Sequence, residues 1–105
     1  MATLDRRSRF ADFLTYWLDE IVEPSERAES TKSNYRDMVN NHISPGLGSH
    51  RLVELKHEDL QRFLNRKAAD GYSTSTMRTL RSVLRQALNE AVITEKISRN
   101  VAETL

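Results

Sequence analysis

The chain has 105 residues and a mass of 12.1 kDa, the length of one domain with one core. Its 38% hydrophobic and 30% charged residues exclude a membrane protein and argue against a disordered one. Nothing in it is long and apolar enough for a bilayer span or patterned as a signal peptide, so a soluble, unexported, cytoplasmic protein is expected. The lack of cysteine removes disulfides, thiolate chemistry and thiolate zinc sites, and His42, His50 and His57 leave little for another metal, so no cofactor and no metal are expected. A net charge of +1 says nothing about partners, but its distribution does. Residues 1–29 carry four Lys/Arg against seven Asp/Glu, whereas residues 60–89 carry six against one, as a face made for a polyanion would.

Residues 1–8 show no period and read as a disordered leader. From Arg9, the apolar residues Phe10, Phe13, Leu14, Trp17, Leu18 and Ile21 recur at three- and four-residue steps, which predicts a helix stopped near Pro24. Residues 24–29 form a polar connection. A second helix is expected from Ser30 or Thr31, either of which can cap it, with Tyr35, Met38, Val39, His42 and Ile43 as its apolar stripe and Pro45 and Gly46 as its end. Residues 44–55 read as a loop with Leu47, Leu52 and Leu55 plugged inward, and nothing there alternates long enough for a strand.

A third helix is predicted over 57–70, with Leu60, Phe63, Leu64 and Ala68 inward, a weak cap at Lys56 and His57, and a stop at Gly71. The fourth begins among the hydroxyls of residues 73–76 and runs through Met77, Leu80, Leu84, Ala87, Leu88 and Ala91 to about Val92. Residues 93–101 are less regular, and 102–105 are expected to fray. The prediction is an all-α fold: one compact four-helix orthogonal bundle over residues 9–101. The long plugged loop argues for helices crossing at large angles rather than a plain up-down bundle.

No HExxH, glycine-rich phosphate loop or GxSxG is present. Glu58 and Asp59 are neighbours along a helix and do not face each other. His42, on an apolar stripe, is expected to be a packed, hydrogen-bonded histidine. No enzyme site is expected. The positive signal is on the fourth helix, where Thr74, Arg78, Arg81, Arg85 and Asn89 fall within a stripe roughly 80° wide. Arginine donates two hydrogen bonds at once to a phosphate, and free amides at a helix start favour phosphate as well. Lys32 and Arg36, one turn apart on the second helix beside Ser30, Thr31, Ser33 and Asn34, make a second basic pair. Two such helix starts read as two clamps on a DNA backbone, against the plainer reading of ordinary solvated arginines.

The order of features also resembles a known family. Residues 30–55, STKSNYRDMVNNHISPGLGSHRLVEL, are similar to the T-x-x-x-Y, helix, I-x-P-x-L-G-x-x-x-L-x-x-L segment of phage integrases and other tyrosine recombinases, with Thr31, Tyr35, Ile43, Pro45, Leu47, Gly48, Leu52 and Leu55 in those places. Leu60, Gly71, Ser73, Thr76, the helix LRSVLRQALNEAV with Ala87 and Ala91, and then Ile97 and Asn100 follow in the family's order. Val101 stands where the family usually has Pro, and Lys56 where it has a capping Thr.

The resemblance implies the core-binding domain, an N-terminal SAM-like helical domain that forms half of a clamp around the recombination site. It places the starts of the second and fourth helices on double-stranded DNA. The implied contacts are Thr31, Lys32, Asn34 and Arg36 in one region, and Ser73, Ser75, Thr76, Arg78, Arg81 and Arg85 in the other. The family's catalytic domain, with its Arg, Lys, His and nucleophilic Tyr, has no counterpart here, since no histidine begins a His-x-x-Arg. The resemblance therefore implies a piece of a longer integrase that does no chemistry alone, monomeric by itself, whose parent assembles on paired half-sites. A helical protein-interaction module and a stand-alone DNA-binding regulator are the rival readings.

Overall fold

The computed structural model describes residues 4–105, and of the expected leader residues 1–3 lie outside it. Among the described residues, five helices surround one core. Helix α1 spans Phe10–Tyr16 and continues as a π-helical turn over Trp17–Val22. Helix α2 spans Glu29–Met38 and continues as a second π-helical turn over Val39–Ile43, from which α3, Ser44–Leu47, follows directly. A 3-10 turn at Leu52–Glu54 leads to α4, His57–Ala69, and then α5, Thr74–Ile93. Among the described residues there is no β-strand, only a single antiparallel bridge between Arg9 and Arg51.

The apolar stripes read from the sequence make the core. Phe10, Phe13, Leu14, Trp17, Val39, Ile43, Leu60, Leu64, Leu80, Leu84 and Leu88 are buried, and so are the three expected plugs, Leu47, Leu52 and Leu55. Trp17 stacks on Tyr35 at 5.9 Å, joining the end of α1 to α2. Tyr35 accepts a hydrogen bond at its hydroxyl from the Gln86 Nε2 of α5, at 3.1 Å.

The loop between α3 and α4 does more than plug the core. Helix α1 has no side-chain cap at Arg9. Instead its Phe10 and Ala11 amides donate to the carbonyls of His50 and Gly48, at 2.8 and 3.0 Å. The loop thus satisfies two of the orphan donors that any helix start leaves. A Cβ on Gly48 would meet the Ser44 carbonyl at 2.5 Å and Ala11 at 2.8 Å, so this close crossing requires glycine.

Four sequence expectations are corrected. Helix α2 starts at Glu29 with Ala28 as its uncapped N-cap, so Ser30 and Thr31 lie inside its first turn. Pro45 and Gly46 do not end the helical path, which runs on through α3 with Pro45 in its first turn. The leader from Leu4 onward is ordered, since Leu4 packs on the core and the carbonyls of Arg6 and Ser8 accept from Val53 and Leu52. The tail does not fray either: Ala102 is fully buried, Leu105 packs on the core, and the Asn100 side chain donates to the Arg85 carbonyl at 2.9 Å.

The stops of α4 and α5 share one geometry. At α4, Gly71 takes a φ of 92°, and the Gly71 and Tyr72 amides return to the carbonyls of Ala68 and Lys67. At α5, Glu95 takes the left-handed position at φ 62°, with the Glu95 and Lys96 amides on Val92 and Ala91. Without a glycine, that second stop carries no compositional signal.

Candidate nucleic-acid interface

Helices α2 and α5 pack antiparallel. Tyr35 meets Gln86, and in the π-helical turn that continues α2 the His42 ring meets the Tyr72 ring edge-on at 5.0 Å, just before α5 begins. The two predicted contact regions therefore form no single cluster. They lie towards opposite ends of the pair.

At the start of α5, Ser73 is the N-cap. Its hydroxyl accepts from the Thr76 amide at 3.1 Å and donates to the Thr76 hydroxyl at 3.1 Å, a cap of the kind that stabilises a helix by about 1 kcal/mol. Ser75 is exposed beside it. Arg78 is exposed and Arg81 half-buried, and among the described residues neither has a carboxylate within ion-pair distance. Arg85 points elsewhere: its guanidinium donates to the Leu105 carbonyl, and its backbone carbonyl holds Asn100.

The start of α2 is more heavily engaged. Asn34 is exposed and Thr31 half-buried. Lys32 is turned inward, only 7% exposed, its ammonium donating to the Glu23 carbonyl at 2.7 Å and lying 3.4 Å from the Glu29 carboxylate. Arg36 forms ion pairs with Glu23 at 2.7 Å and Asp19 at 3.9 Å. The acidic end of α1 thus neutralises the basic pair that the sequence suggested as a clamp. Surface pairs of this kind contribute little to stability and can exchange partners, whereas a buried, satisfied ammonium cannot do so without an energetic cost.

Sequence reasoning missed the C-terminal half of α4. Arg66 is exposed with no ion pair among the described residues, and the Lys67 ammonium lies 3.1 Å from His42 Nδ1. Their signal was the basic count over residues 60–89, but reading α5 as a single helical wheel left α4 out.

His42 is packed and hydrogen-bonded as expected. Burial first, and the neighbouring Lys67 charge second, hold its pKa below the ordinary 6.5. The fold therefore prefers the neutral ring, and the unfolded chain binds the proton more readily. Stability from this group is complete above pH 6.5 and is lost as pH falls from there through the lower folded-state value. Urea unfolding of His42→Gln is expected to show a shallower loss of stability between pH 7 and pH 5 than the natural chain, and equal slopes would refute this assignment.

The fold, with its four long helices, plugged loop and docked tail, is that of an integrase SAM-like domain. A solution structure of the integrase-like domain from Bacillus cereus superposes with a TM-score of 0.84 at 24% identity, covering 97% of this chain and 84% of that one. The phage integrase SAM-like domain from Moorella thermoacetica gives 0.75 at 26% identity, covering 98% and 87%. The family model for the phage integrase N-terminal SAM-like domain matches residues 9–68, and the chain belongs to that family. An integrase of Streptomyces ambofaciens is 34% identical over 92 residues, 88% of this chain and 22% of that protein. One of Saccharopolyspora erythraea is 31% identical over 90 residues, 84% and 20%. The chain spans about a fifth of the length of these curated relatives.

Proposed function

We propose that this domain binds double-stranded DNA, mainly through backbone phosphates, as the core-binding part of a longer integrase. In this reading it performs no chemistry alone and positions the recombination site for catalytic residues carried elsewhere in the parent, inside a bacterial or phage-infected cell. The observation that carries the reading is the ridge of α5, where Arg78 and Arg81 have no carboxylate partner among the described residues and stand next to a capped helix start. Other arginines of the surface, such as Arg36 and Arg62, are offset by Asp or Glu. Cations left unpaired at a surface are the side chains that exchange counterions for phosphate.

Ser73, Ser75, Thr76, Arg78 and Arg81 make the stronger region, and Asn34, Thr31 and Arg36 the weaker one. Lys32 and Arg85 contribute only if their internal bonds open. The isolated domain is monomeric in this reading, and the parent assembles on paired half-sites.

A residue-resolved NMR titration with a short duplex tests the proposal. At low salt the amides of residues 73–85 are expected to shift most and those of 31–36 less, with both sets recovering as salt rises. Amides that stay still at low salt and high DNA concentration would move the helical interaction module to first place.

A further inference from the structure

The cleft between α3 and α4 holds a cluster that no contact named above uses. Its charged and imidazole lining is His42, His50, Arg62, Arg66 and Lys67, with Asp59 the one acid. Asp59 lies 3.7 Å from Arg62, so two cations remain uncompensated among the described residues.

Lys67 is held unusually. Its ammonium donates to His42 Nδ1 at 3.1 Å, which requires that nitrogen to be unprotonated. It also sits 5.6 Å from the Phe63 ring centre and 5.4 Å from that of Tyr72. By contrast, Lys32, Arg36, Arg51 and Arg62 are held by carboxylates. A cation fixed by a neutral acceptor and two ring faces keeps its whole charge while losing much of its side-chain freedom beforehand. Both conditions favour capture of an anion. The exposed Arg66 lines the same cleft. Tyr72, whose ring touches both His42 and Lys67, directly precedes the Ser73 cap, so the cleft is continuous with the start of α5.

We propose that Lys67, preset by His42, Phe63 and Tyr72, forms with Arg66 a second phosphate site in the α3–α4 cleft for the same duplex that α5 contacts. This rests on the DNA-binding reading above. A phosphate oxygen there would accept from the Lys67 ammonium and from the Arg66 fork, while the neutral His42 continues to position the lysine.

The test is the affinity of the natural chain, Lys67→Gln, Arg66→Gln and Arg78→Gln for one short duplex across a salt series, with thermal melting of each as a folding control. Each cleft variant is expected to lower the salt slope by about 0.9, roughly eightfold in affinity at 0.1 M salt. Arg66→Gln removes an exposed charge, so it decides the matter if Lys67→Gln melts early. If Arg78→Gln lowers the slope and both cleft variants leave it unchanged, the cleft site is overturned and the DNA-binding reading stands. If the natural chain binds no duplex at low salt, both are overturned.

Discussion

Arg78→Glu combined with Arg81→Glu is expected to weaken duplex binding by about 100-fold near 0.1 M salt and to lower the salt slope by about 2. Two phosphate contacts are lost, and two like charges then face the backbone. The fold should survive, because neither arginine has a carboxylate partner among the described residues and Arg78 is exposed. Fluorescence anisotropy over a salt series, with melting curves alongside, measures both quantities. A change of less than about threefold with an intact fold would remove the α5 ridge from the interface. Arg85→Glu is the informative contrast: its side chain serves the tail, so it is expected to disturb stability more than salt slope.

Trp17→Ala is expected to cost about 3–5 kcal/mol, a large share of the stability of a domain this size. Trp17 is 1% exposed, stacks on Tyr35, and sits in the π-helical turn where α1 meets α2. Its removal leaves a cavity between α1 and α2 that the surrounding structure fills only partly. Melting should fall by some tens of degrees, at roughly 4–8 °C for each kcal/mol. A loss below about 1 kcal/mol in urea unfolding would show that the α1–α2 junction repacks freely. Val53→Ala, at a position 46% exposed, should change stability by no more than a few tenths of a kcal/mol.

Much of this molecule was legible in its residues because burial imposes a period. The stripes from Phe10 to Leu18, Leu60 to Leu64 and Met77 to Ala91 face inward as their spacing required, and Leu47, Leu52 and Leu55 plug the core. The Ser73 cap and the Gly71 stop were legible because each rests on one residue's own chemistry. The start of α2 misled, since Ser30 and Thr31 are good caps but Ala28 occupies that place. Caps are local preferences worth about 1 kcal/mol, too small to fix a helix start by themselves.

The candidate site divides along the same line. Residue type and helical spacing alone determined that the chain is all-helical with a basic ridge on its last helix. Those properties depend on neighbours three or four positions apart. Only the tertiary structure decided which cations are free. Lys32 turns in to Glu23, Arg36 is met by Asp19 and Glu23, and Arg85 is taken by the tail, while Lys67 is presented by His42, Phe63 and Tyr72. An ion pair forms between groups that the fold brings within a few ångströms, however far apart they lie in the chain. Charge counted along the sequence therefore locates a basic helix, and packing between helices sets which of its charges remain uncompensated.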